Sequence, residues 1–158
     1  MPEIVFQYLR STSRYRDVGD PEGDAWTFYD DGTVTHMYYV VGFSTPVRTV
    51  PLGCSPELMK ELQTWIKEHE AEIAAINPNL DNGSVDGYYD LFVFGSHRIT
   101  ALNILDLDPE TYDPAYTAKY RDNMIQEHRV ITLFRGIYQI VQRFLPEVHI
   151  PIRSAGIV

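Results

Sequence analysis

A single cysteine, Cys54, occurs in the 158 residues, so no intrachain disulfide can form. A reducing compartment, the cytoplasm, is therefore the expected location. Long apolar runs are missing too. The most apolar stretch, Val130 to Leu145, is interrupted by Arg135, Gln139, Gln142 and Arg143, which is too polar for a membrane span. Met1 to Arg10 carries Glu3 and Gln7 and lacks the basic-then-apolar order of a secretion signal. No glycine-rich phosphate loop, GxSxG elbow or Cys-x-x-Cys pair is present. That removes the most readable routes to nucleotide binding, serine hydrolysis and thiol redox chemistry.

Positive charge is the scarce kind. Lys and Arg number 13 against 22 Asp and Glu, a net charge of −9, with a pI near 4.9. Such a surface repels phosphate backbones and anionic headgroups, so neither nucleic acid nor membrane is an expected partner. A basic protein is.

What remains is a globular composition, 44% hydrophobic, with alternating and helical apolar patterns. Ile4 to Leu9 alternates as an opening strand, and Ser11 to Asp24 follows as a polar loop. Trp26-Thr27-Phe28-Tyr29 and Thr33 to Val41 flank Asp30-Asp31-Gly32, which predicts a hairpin. Pro46 to Leu52 suits an edge strand, because its two prolines cannot both serve a central ladder. Ser55-Pro56-Glu57 reads as a cap, a first helical residue and an acidic first turn. At about 100° per residue, Leu58, Leu62, Trp65, Ile66, Ile73 and Ile76 share one face of a helix of about five turns, ended by Asn77-Pro78.

Asn79 to Gly87 reads as a polar loop. Tyr88 to Phe94 and Arg98 to Leu105 then form a second hairpin about Gly95-Ser96. Asp113-Pro114 opens a long helix that runs to Leu145, before Pro146. Two hairpins imply antiparallel pairing. The expected fold is one α+β domain over residues 1–158: an antiparallel sheet of two hairpins plus edge strands, with two long helices on one face.

Chemistry is harder to place. In the last helix, Lys119, Asn123 and Glu127 extend the apolar face backward as a polar stripe. Either that half projects into water, or it forms a polar pocket holding a ligand. His69 falls within the first helix's apolar face and is expected to be a neutral core residue. The five histidines show no ligand spacing, so no metal is expected, and no cofactor motif appears. Cys54 is expected to be a small buried hydrophobe. His36 and Asp90 form a conceivable acid–base pair across a sheet, but no catalytic residue is assigned. The stretch from Asp106 matches a calcium loop at three positions only, then has Thr111 and Thr117 where glycine and glutamate belong.

Eleven tyrosines stand out, including the doublets Tyr38-Tyr39 and Tyr88-Tyr89. Neighbours on a strand point to opposite faces, so each doublet sends one ring outward. Outward tyrosines among carboxylates make a plausible protein-binding surface. In size and charge the chain resembles small acidic bacterial immunity proteins, and that likeness implies a non-catalytic binder of a basic protein. The competing expectation is a small enzyme or ligand-binding domain using Lys119, Asn123, Glu127 and His69.

Overall fold

The computed structural model describes residues 1–11, 23–39, 45–81, 89–102 and 114–151. In chain order they form β1 (Ile4–Ser11), β2 (Gly23–Tyr29), β3 (Thr33–Tyr39), β4 (Arg48–Cys54), α1 (Pro56–Glu68), α2 (Glu70–Ala74), β5 (Asn79–Asp81), β6 (Tyr89–Phe94), β7 (His97–Leu102) and α3 (Pro114–Phe144). The strands make one seven-stranded sheet in the order β4-β3-β2-β1-β6-β7-β5. Every neighbouring pair is antiparallel except β5 with β7.

Both hairpins form where turn chemistry demands them. Gly32 takes φ +98° and Gly95 takes φ +60°, conformations that an L side chain rarely adopts. The Asp31 carboxylate accepts the Thr33 N–H at 2.9 Å, which tightens the first turn. That bond holds the carboxyl of Asp31 below its usual range. The two turns lie at the same end of the sheet, the turn end. At the opposite end Ser11, Gly23 and Tyr39 share a register row, as do Asp81, Tyr89 and Leu102. β4, with Pro51 inside it, lies at an edge, where a missing N–H is tolerated.

Register sets the core. On the helix-covered face Phe28, Phe6 and Phe94 form one row, and Trp26, Tyr8, Phe92 and Ile99 the next. Phe134 of α3 closes over them, with ring centroids 5.9 Å from Phe6, 5.2 Å from Tyr8 and 6.0 Å from Phe92. Leu58, Leu62, Ile66 and Ile73 join the same core from α1 and α2. Each such side chain taken out of water contributes roughly 1.5–3 kcal/mol. A smaller apolar cluster of Leu9, Ala25, Leu91 and Val93 occupies the other face.

α3 crosses this sheet from edge to edge. On the β5 side Gln126 Oε1 accepts the Asn77 N–H at 2.6 Å, and on the β4 side Leu145 lies against Gly53. Midway, Gly136 lets the Trp65 ring approach so closely that a Cβ there would lie 2.6 Å from Trp65 Cζ2.

The structure corrects three expectations. The first helix is two helices, because His69 leaves helical geometry at φ −103°, ψ 11°. Its imidazole Nδ1 donates to the Trp65 carbonyl at 2.7 Å, competing with the backbone ladder. Part of the expected loop from Asn79 is strand β5, and its pairing with β7 is parallel. Cys54 is exposed rather than buried. Residues 82–88 and 103–113 lie outside the described residues, so the calcium-loop stretch from Asp106 is untouched by these observations.

Candidate functional site

The densest polar arrangement lies on the helix-covered face, one row beyond Tyr8 and Trp26 toward the end opposite the turns. The register lines up Tyr38, Asp24, Arg10 and Asp90 across β3, β2, β1 and β6. Asp24 is 7% exposed. It accepts Arg10 Nε at 2.7 Å on Oδ1 and Arg10 Nη2 at 3.2 Å on Oδ2. Oδ2 also meets His36 Nε2 at 2.8 Å. Hydrogen bonding to Asp24 pushes the guanidinium of Arg10 above its already high ordinary pKa.

Behind His36 the chain continues, with its Nδ1 3.2 Å from the Tyr38 hydroxyl. With Nε2–H donated to Asp24, a neutral imidazole accepts the Tyr38 O–H at Nδ1. Protonation reverses that second bond, so both charge states keep their partners. The rings are also in contact, the imidazole stacked on Trp26 and tilted against Tyr38. His36 lies 4.4 Å from Trp26 and 4.4 Å from Tyr38, while Arg10 and Arg48 cover the Trp26 and Tyr38 rings at 5.1 and 5.4 Å. Tyr8 donates its hydroxyl to Asp90 Oδ1 at 3.1 Å. This carboxylate–imidazole–phenol chain can pass a proton along its length. It also ties β1, β2 and β3 together at the end of the sheet opposite the two hairpin turns.

His36 and Asp90, paired in expectation, do not meet, because β2 and β1 lie between their strands. Asp24 takes the imidazole instead.

The polar half of α3 behaves differently from a projecting, solvated face once it reaches the sheet. Arg121 and Asp122 are exposed, Asn123 is half-buried, and Glu127 is 1% exposed. Asn123 Nδ2 donates to Glu127 Oε1 at 3.2 Å. These two predicted residues do come together, one turn apart, beside buried Met124 and Val130. Lys119 lies in the same helix, but its side chain falls outside the described residues.

His69 is elsewhere, at the α1–α2 break, half-buried with its ring 3.9 Å from Trp65. The expected core position gives way to a helix cap. Tyr38 and Tyr39 split to opposite faces as the strand period requires. Tyr38 enters the network above. Tyr39 packs on the second apolar cluster, and that burial raises its phenol above the ordinary range. Both residues are half-buried. Tyr89 belongs to β6, but its side chain, like all of Tyr88, falls outside the described residues.

The turn end holds a groove of about 670 Å³. Ile4, Ile66 and Val93 give it an apolar lining, and Glu3, Asp30, Lys67, Glu70 and Arg98 give it charge. Glu3 and Asp30 are tied together, each main-chain N–H bonded to the other residue. Sequence reasoning passed over this groove and over Arg10 and Asp24. The signal for the latter was available, since counting back from the Asp31-Gly32 turn pairs Trp26 with His36 and Asp24 with Tyr38.

Among the described residues no group of His, Cys, Asp and Glu is placed to hold a metal ion, and no helix is long and apolar enough to cross a membrane. No protein-family model, curated protein or solved structure matches the chain.

Proposed function

We propose that this chain is a non-catalytic binding or regulatory protein that meets a basic protein partner, in the manner of the immunity proteins it resembles in size and charge. The observation that carries this reading is the outer surface of α1 and α2. Glu57, Glu61, Glu68, Glu70 and Glu72 are exposed there, against Lys60 and Lys67. The acidic turn Asp30-Asp31 adjoins the start of α1, where Gly32 packs against Pro56. Carboxylates so gathered steer a basic partner and speed its association.

The test is capture of partners from the source cells at low salt, then titration of the purified pair at low and high salt. A one-to-one complex with a basic protein, weakened by salt and by changing Glu57, Glu68 and Glu72 to Lys, supports the reading. Recovery of acidic proteins only, or affinity indifferent to salt, overturns it.

One observation favours a second reading, a polar ligand site on α3. Glu127 is a carboxylate kept almost wholly from water and held by Asn123, and such groups gather at functional sites. If it serves a ligand, Glu127→Gln removes small-molecule binding in a metabolite screen while the fold persists. A screen in which the unaltered protein binds nothing defeats this reading.

A further inference from the structure

Asp24, His36 and Tyr38 stand in the order of acid, base and nucleophile, and the two ends of the chain they form differ in access. The acid end is buried. Asp24 Oδ1 accepts from Arg10 at 2.7 Å, and Oδ2 meets His36 Nε2 at 2.8 Å. A carboxylate that only accepts fixes the imidazole with its proton on Nε2 and its lone pair on Nδ1. That lone pair lies 3.2 Å from the Tyr38 hydroxyl. The phenol end reaches solvent. Tyr38 is half-buried and Arg48 is exposed, and β4, which carries Arg48, is the edge of the sheet. Trp26 and Tyr38 both contact the imidazole with ring centroids 4.4 Å away, which leaves it little freedom to turn. The Arg48 guanidinium lies 5.4 Å from the centre of the Tyr38 ring. A cation there favours the negative charge that gathers on a phenol oxygen as it attacks.

We propose that Tyr38 is a base-assisted nucleophile, a modification site that takes an acyl group from a small activated donor. The phenol oxygen attacks the acyl carbon while its proton passes to His36 Nδ1. The bond from that carbon to the leaving group breaks, and the leaving group departs with the proton from Nδ1. His36 returns to its starting state, the product is an O-acyl tyrosine, and no other reactant is consumed. Asp24 acts through His36 as a positioning residue, holding its tautomer and steadying the transient imidazolium. Such a modification is a property of the isolated chain and does not depend on a basic partner.

The probe is N-acetylimidazole on the full folded chain, with acetylated tyrosines located and timed by peptide mass spectrometry. Tyr38 is expected to react roughly tenfold or more faster than the other tyrosines, well within what a positioned base supplies. His36→Phe keeps an aromatic ring in the stack and should bring Tyr38 down to the rate of the others. Arg48→Gln should slow it about two- to fivefold, the scale of an exposed cation–π contact. In the parent, nitrogen–proton correlation spectra at about pH 8.5, where an ordinary imidazole is neutral, should show His36 as the Nε2–H tautomer. Asp24→Asn should weaken that tautomeric preference and slow Tyr38 together, and a variant that keeps both overturns the positioning role. Tyr38 reacting no faster than its fellows, or at an unchanged rate in His36→Phe, overturns the site. So does an Nδ1–H tautomer in the parent, a result that needs no variant to fold.

Discussion

Asp24 grips Arg10 with both carboxylate oxygens across the β1–β2 ladder, and the same carboxylate holds His36 of β3. A buried acid thus serves two cationic or potentially cationic groups from the strands on either side. Breaking a buried pair by removing one member strands the other. Because Arg10 keeps a third of its side chain in water, the loss falls below the full buried-pair value. Asp24→Ala is expected to cost roughly 2 kcal/mol in urea denaturation. Replacing Arg10 with Met as well should restore part of that loss, since the stranded guanidinium is gone. A single variant within about 0.5 kcal/mol of the parent would show the network to be ornamental.

Gly136 offers a second test, because two effects pull in opposite directions there. Alanine in a helix interior is favoured over glycine by about 1 kcal/mol. At this position the added Cβ would lie 2.6 Å from the Trp65 ring. Trp65 is itself pinned by stacking on His69, so it cannot yield without disturbing the α1–α2 break. Gly136→Ala is expected to destabilise the protein by roughly 1–3 kcal/mol, the usual range for overpacking, and to alter tryptophan emission. A more stable variant would mean that α1 and α3 are less tightly set against each other than described.

Tyr39 makes stability depend on alkaline pH. Burial, with a smaller contribution from nearby Tyr29, raises its phenol above the ordinary value. The folded state therefore keeps this proton after the unfolded chain has released it. Its stabilising contribution is complete below about pH 10, the unfolded value, and fades as pH rises through the folded one. Tyr39→Phe should lose less stability than the parent between about pH 9 and about pH 11. In an ultraviolet titration, one tyrosine that ionises above the ordinary range in the parent should be missing in the variant. Identical alkaline profiles for the two proteins would contradict the assignment.

Local chemistry wrote much of this fold into the chain. Asp30-Asp31-Gly32 and Gly95-Ser96 announced their hairpins because positive φ has few takers besides glycine. Ser55-Pro56 and Pro114 announced their helices for a similar local reason. What escaped depended on distant partners. β5 is Asn79-Leu80-Asp81, a poor strand sequence that pairs only because the edge of β7 is available. The helix break at His69 needs no proline or glycine, only a side chain that bonds the Trp65 carbonyl.

The candidate sites divide in the same way. Asn123 and Glu127 are one helical turn apart, so their meeting could be read from spacing. Arg10, Asp24, His36 and Tyr38 come from three strands and acquire a common address only through register. The Tyr38-Tyr39 doublet obeyed the strand period, yet that period says which face a ring takes and not whether the face is already covered.

The position of β1 has a consequence for how the chain is made. It precedes every other described strand in the chain and is the middle strand of their sheet, bonded to β2 on one side and β6 on the other. While the ribosome is still at work, β2, β3 and β4 can assemble on one flank of β1 alone. Its other flank must wait for residues eighty or more positions later, across a loop whose closure is entropically costly. Until then the nascent chain exposes half a sheet with a raw edge of phenylalanine, tyrosine and leucine. That edge is the natural target for a chaperone, or for mispairing with a neighbour on the same message.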